Sequence, residues 1–159
     1  MKKYLEIKNF YLIIFGISII SLIGAVYIEY ILGYKSCKLC LYQRIPYLVA
    51  IFISFIGFNY HKNHFWLYLT IFTFLSSSLI SGYHVGIENG LLNEFSGCSK
   101  INIGITNKKD LLNSLNMERT NCKNVDFRIF GLSLATINFF ISTIISVLTI
   151  NVIRYEKNK

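Results

Sequence analysis

Four long apolar blocks constrain this chain more than anything else in it. They cover residues 11–32, 41–58, 65–83 and 129–153. A helix crossing the hydrocarbon of a bilayer needs about 20 mostly apolar residues, with about 17 as the lower bound, and every block meets that length. A soluble core would instead alternate apolar and polar positions at a helical or strand period. The expected fold is all-α integral membrane: an antiparallel four-transmembrane-helix bundle forming one domain over residues 1–159.

Composition agrees, with 53% hydrophobic and 15% charged residues where a soluble domain carries about 25% charged. The net charge of +8 raises nucleic acid as a partner. Nucleic-acid binders gather Lys and Arg on a folded soluble surface, whereas here they fill the gaps between apolar blocks, as flanks of membrane helices do. The reading is membrane lipid and no nucleic acid. The first block follows Lys2, Lys3 and Lys8, as a signal peptide would. An apolar signal core is about 7–15 residues long, but this block continues through Tyr27, Ile28, Glu29 and Tyr30, so it reads as a retained helix.

Four spans place the turn over 33–40 and the loop over 84–128 on one side of the membrane. The termini and the polar turn over 59–64 lie on the other. Lys2, Lys3, Lys8, Lys62, Arg154, Lys157 and Lys159 crowd the short segments of the termini side. Lys35, Lys38, Arg44, Lys100, Lys108, Lys109, Arg119, Lys123 and Arg128 are spread over the longer segments opposite. Basic density favours cytoplasmic termini, while raw number does not. Within the long loop, Asn107 is placed to cap a short helix bearing Leu111, Leu112 and Leu115 on one face, in the interface plane or folded back on the bundle.

The chain has four cysteines, Cys37, Cys40, Cys98 and Cys122, all outside the apolar blocks. On this topology they share one aqueous face. Disulfides persist outside the cytoplasm, so that face is expected to be extracytoplasmic, which resolves the charge ambiguity. Four cysteines allow three pairings. Cys37-Lys38-Leu39-Cys40 is a C-x-x-C, a spacing associated with redox-active thiols. Two other readings compete with redox chemistry: inert disulfide staples, and a zinc site. The second lacks the paired C-x-x-C of a zinc ribbon, and no metal is expected. Cys40 lies near the start of the second helix, where the dipole favours a thiolate. Arg44 follows one turn later on the same face. An arginine so near hydrocarbon needs a partner; the candidates are the Cys40 thiolate and a bound polar ligand, unless the side chain snorkels to headgroups. Pro46 lies early enough in that helix to be tolerated.

Cys37-Lys38-Leu39-Cys40-Leu41-Tyr42-Gln43-Arg44 resembles the C-x-x-C-x-Y-x-R signature of the disulfide bond formation protein B (DsbB) family. Gly82-Tyr83-His84-Val85-Gly86-Ile87-Glu88 and Phe130-Gly131-Leu132-Ser133-Leu134 are similar to the family's segments flanking the long loop. The resemblance implies a thiol:quinone oxidoreductase of the bacterial inner membrane, working in disulfide formation. The DsbA–DsbB–quinone system is already established as what keeps the bacterial periplasm oxidising. By that resemblance a reduced periplasmic thioredoxin-like, DsbA-like oxidase attacks a Cys98–Cys122 disulfide, with Cys98 forming the mixed disulfide and Cys122 resolving it. The electrons pass to Cys37–Cys40, and Cys40 faces a quinone, ubiquinone or menaquinone, that Arg44 helps to bind. His84 is the further candidate for the quinone site, although a histidine at a helix end is more often simply solvated; the same holds for Glu88. The four-helix family of vitamin K epoxide reductases also joins a C-x-x-C to a quinone, but there the motif follows the loop cysteines. From another class, a membrane metal-binding or structural protein with inert disulfides would not need Arg44.

Overall fold

The computed structural model describes residues 2–34, 36–61, 63–93, 127–129 and 131–157, with side chains from residue 7 onward. Four helices carry the fold: α1 Lys2–Tyr30, α2 Lys38–Asn59, α3 Phe65–Glu88 and α4 Leu134–Lys157. All four are long and apolar enough to cross a membrane. The all-α membrane bundle expected from the four blocks is therefore what the chain forms. A minimal hairpin, β1 Arg128–Ile129 with β2 Leu132–Ser133, precedes α4.

The bundle is ordered as a membrane protein requires. Ile20, Ile23, Phe52, Phe55, Phe72, Leu79, Phe140 and Ile144 point outward, where lipid chains solvate them at no cost. The interior is richer in small polar residues: Ser18, Ser54, Thr70, Ser77, Ser81, Ser142, Ser146 and Thr149 are all buried. Small side chains let membrane helices approach, and their hydroxyls bond the backbone or one another. Thr70, Ser81, Ser146 and Thr149 each donate to a carbonyl one turn back. Ser78 and Thr143 bond across α3 and α4 at 2.9 Å. At mid-depth Ile14, Tyr47, Ala50, Phe74 and Ile145 bring all four helices into one apolar cluster.

α1 packs on α2, α2 on α3, and α3 on α4, whereas α1 and α4 make few contacts with each other. The ring of helices is thus loosest at the α1–α4 seam. Gly57 of α2 leaves no room for a side chain against α1: an added Cβ would lie 2.6 Å from the ring of Tyr11. Tyr11 is fully buried and cannot swing clear. Gly57→Val is expected to destabilise the protein by about 1–3 kcal/mol, the usual cost of overpacking, read as a lower thermal midpoint in detergent against wild type.

Helix limits differ from the apolar blocks where capping chemistry decides them. α2 begins at Lys38, so Cys40 belongs to its first turn, not to the turn before it. α3 runs one turn past Tyr83 and carries His84 and Glu88, placed in the loop by hydropathy. It stops in a Schellman arrangement: Gly90 (φ 72°) donates to Ile87 C=O, and Leu91 to Gly86 C=O. α4 starts at Leu134 rather than near residue 129, because Ser133 Oγ accepts from Thr136 N–H as an N-cap and the preceding residues pair in the hairpin. Cys98, Cys122 and the segment with Asn107, Leu111, Leu112 and Leu115 lie outside the described residues.

Candidate functional site

Chemistry gathers at the end of the bundle opposite the termini, where α1 and α3 finish and α2 and α4 begin. Cys37 is the N-cap of α2: its Sγ accepts the Cys40 backbone N–H at 3.2 Å. The C-x-x-C spacing then turns Cys40 back over the cap, and the two sulfurs lie 2.7 Å apart as free thiols sharing a hydrogen bond. A disulfide can close here without backbone movement.

The cap position has an electrostatic consequence. The side-chain hydrogen bond shared with Cys40 holds the Cys37 thiol well below its ordinary value of 9.0, at about 5. Burial opposes this, and the hydrogen bonds from His84 and from the Cys40 backbone N–H reinforce it. The Cys40 side chain thus does most to favour a thiolate on Cys37 rather than Cys40, and the helix N-terminus adds its N–H to the same sulfur. Iodoacetamide alkylation of the reduced protein is expected to show a midpoint near pH 5 instead of the ordinary thiol range, moving upward in His84→Ala. Because the value is depressed, the stabilisation of the reduced protein by this group is complete above pH 9.0 and lost as pH falls through about 5.

His84 sits behind the thiols. It is 3% exposed, with Nε2 3.7 Å from Cys37 Sγ and 3.6 Å from Glu88 Oε1. Its Nδ1 meets Gln43 Nε2 at 3.0 Å. Asn138 Nδ2 donates to Gln43 Oε1 at 3.1 Å, and the Tyr47 hydroxyl donates to Asn138 Oδ1. With its oxygen occupied by Asn138, Gln43 presents its amide N–H to Nδ1. That assigns the remaining ring proton to Nε2, facing Cys37. Each donor in the series Tyr47, Asn138, Gln43, His84 points toward the thiol pair.

Arg44 does not engage Cys40. It forms an ion pair with Glu29 of α1, and Ser36 Oγ donates to the same carboxylate at 2.9 Å. All these residues border one cavity of about 420 Å³, walled by Ile20, Gly24 and Ile28 of α1 and by Ile137 and Ile141 of α4. Tyr34 and Phe127 stand against each other beside it, ring centroids 5.0 Å apart. The structure therefore brings Cys37, Cys40, Arg44 and His84 to one cavity; the loop cysteines lie outside the described residues. Sequence reasoning passed over Glu29, Gln43, Tyr47 and Asn138. A signal existed: ionisable and amide side chains within membrane helices mark sites by default.

Comparison with known proteins follows the same lines. Residues 7–152 match the family model described as disulfide bond formation protein DsbB. The chain belongs to the DsbB family. It is also 31% identical over 153 residues to the uncharacterized protein RP370 of Rickettsia prowazekii (strain Madrid E), covering 92% of this chain and 88% of that one. DsbB membership assigns a membrane-embedded role in disulfide formation and, with it, disulfide oxidoreductase chemistry.

Proposed function

We propose that this DsbB-family protein is a thiol:quinone oxidoreductase that reoxidises a DsbA-like dithiol oxidase outside the cytoplasm of a bacterium and sends the electrons to a quinone of the inner membrane. The observation that carries the reading is the cavity at the loose α1–α4 seam, with the C-x-x-C at its aqueous end. A lipid-borne acceptor needs apolar walls and polar groups at one end, and this cavity, bordered by the sparsely packed α1 and α4, has both. The donor set suits a quinone head: Arg44, fixed by Glu29, supplies cationic N–H donors, and His84 supplies a ring N–H.

A quinone bound there would take up two electrons and two protons. The protein's own groups do the rest. The thiolate is the reactive form of a thiol, and Cys37 keeps one sulfur of the pair in that form. His84 Nε2–H stabilises that sulfur and carries a proton beside it. The apolar walls of α1 and α4 keep water from the thiols. Upstream, Cys98 and Cys122 would take electrons from the soluble oxidase by exchange and hand them to Cys37–Cys40. A quinone meets the thermodynamic demand, because an oxidase poised at about −120 mV needs an acceptor at least as oxidising.

The test is a single-turnover experiment. Protein with Cys98 and Cys122 replaced by serine is reduced, freed of reductant, and mixed anaerobically with a short-chain ubiquinone or menaquinone. One quinol per protein with loss of two thiols is the expected outcome. Retention of both thiols with either quinone, in folded protein, would overturn the reading.

A further inference from the structure

We propose that the reduced C-x-x-C, together with His84 and Glu88, forms a binding site for a thiophilic divalent cation such as Zn²⁺, which the oxidised pair cannot hold. This goes beyond the electron-transfer reading and does not depend on it. The donors are already assembled. Cys37 Sγ, Cys40 Sγ and one His84 ring nitrogen lie within 4.8 Å of one another. Tetrahedral zinc with Zn–S of about 2.3 Å and Zn–N of about 2.0 Å requires donor separations of about 3.5–3.8 Å. Cys37 Sγ and His84 Nε2 stand at 3.7 Å, and Glu88 Oε1 lies 3.6 Å from the same nitrogen. The sulfurs, at 2.7 Å, must part by about 1 Å to reach the tetrahedral edge, which rotation of the Cys40 side chain supplies. Glu88 stands outside that group of three, and its side chain must swing toward the sulfurs to supply an oxygen as the fourth ligand.

The surroundings of His84 permit ligation. A metal-bound histidine donates its other ring N–H to an acceptor, here Nδ1 to Gln43. As it stands, Gln43 donates to Nδ1. Gln43 and Asn138 are amides that can each turn over, and Tyr47 and Ser142 are hydroxyls that donate or accept. The series from Tyr47 to Gln43 can therefore reverse, presenting Gln43 Oε1 to an Nδ1–H and Gln43 Nε2 to Asn138 Oδ1. The chemistry is proton exchange alone: the Cys37 thiolate binds as it stands, the Cys40 thiol releases one proton to water, the His84 ring proton passes from Nε2 to Nδ1 by way of solvent, two S–Zn bonds form, and no electron moves. Formation of the Cys37–Cys40 disulfide removes both sulfur ligands, so the site exists only in the reduced state. An ion there occupies the thiols and holds the pair reduced.

The experiment uses full-length protein carrying Cys98→Ser and Cys122→Ser, so that only the α2 pair can ligate. Zn²⁺ binding is measured by competition with a chromophoric chelator, and Co²⁺ by its thiolate charge-transfer absorption. One ion per reduced protein is expected, with affinity rising with pH, at least 100-fold loss after oxidation of the pair, and at least tenfold loss in both His84→Ala and Glu88→Ala. Folding of each variant is checked by its thermal midpoint. Equal binding by reduced and oxidised protein, or binding indifferent to both His84→Ala and Glu88→Ala, would overturn the proposal. The first outcome would mean an ion bound away from the thiols, the second chelation by the thiols alone.

Discussion

Cys37→Ser and Cys40→Ser are each expected to reduce quinone-coupled oxidation of a dithiol partner by at least about 10³-fold, with the double variant no worse than either single one. The pair works as a unit: a disulfide needs both sulfurs, so removing either abolishes the two-electron step. The structure separates the two losses by another readout. Cys37→Ser removes the N-cap thiolate that accepts from Cys40 N–H and lies beside His84. The remaining Cys40 should then show no alkylation step near pH 5. Cys40→Ser keeps the cap sulfur but replaces the donor that most depresses its titration with a hydroxyl, which can still donate. The Cys37 step should survive in that variant. Loss of the acidic step from Cys40→Ser alone would contradict the assignment of the thiolate to Cys37.

The second large effect concerns Arg44 and Glu29. Removing one partner of a buried ion pair costs about 3–5 kcal/mol, because the other charge is left desolvated. Here the side chains retain 20% and 24% of their exposure, so about 1–3 kcal/mol is the expected penalty. Arg44→Met should lower the thermal midpoint and raise the KM for a short-chain quinone by at least tenfold. Glu29→Gln, which leaves the guanidinium in the cavity but unfixed, should affect stability more than KM. The double variant should be less destabilised than the sum of the two, since no lone charge remains. Arg44→Lys keeps the charge but loses the planar fork and should fall between wild type and Arg44→Met in KM. Strict additivity of Arg44→Met and Glu29→Gln would mean that the ion pair is not what holds Arg44.

Much of this was legible in the residues. The length of the four apolar blocks dictates four spans, and the C-x-x-C followed by Arg44 marks the start of α2 as the chemical end of the bundle. The cap details needed geometry. Cys37 and Cys40 both lie near the boundary, and only the helix start at Lys38 decides which sulfur takes the free N–H. Hydropathy ended the third span at Tyr83 because His84 and Glu88 are polar, yet the backbone runs on to the stop at Gly90, a signal the sequence contains. That extra turn is what brings His84 under Cys37. Glu29 shows the other limit: within its own block it only breaks an apolar run, and its purpose emerges when α1 is laid against α2 and Arg44 closes on it. Gln43, Tyr47 and Asn138 are separate polar positions in two blocks, and no periodicity joins residues 91 apart into the hydrogen bond they make.

Passage of electrons from an external dithiol through Cys37–Cys40 to a quinone can be followed as steady-state quinone reduction in detergent, with a reduced thioredoxin-like oxidase as donor and wild-type, Cys98→Ser and Cys40→Ser proteins compared. Sustained quinol formation by wild type, with both variants silent and folded, is the predicted result. A folded wild-type protein that reduces neither ubiquinone nor menaquinone, or a Cys40→Ser protein that turns over as wild type does, would contradict it.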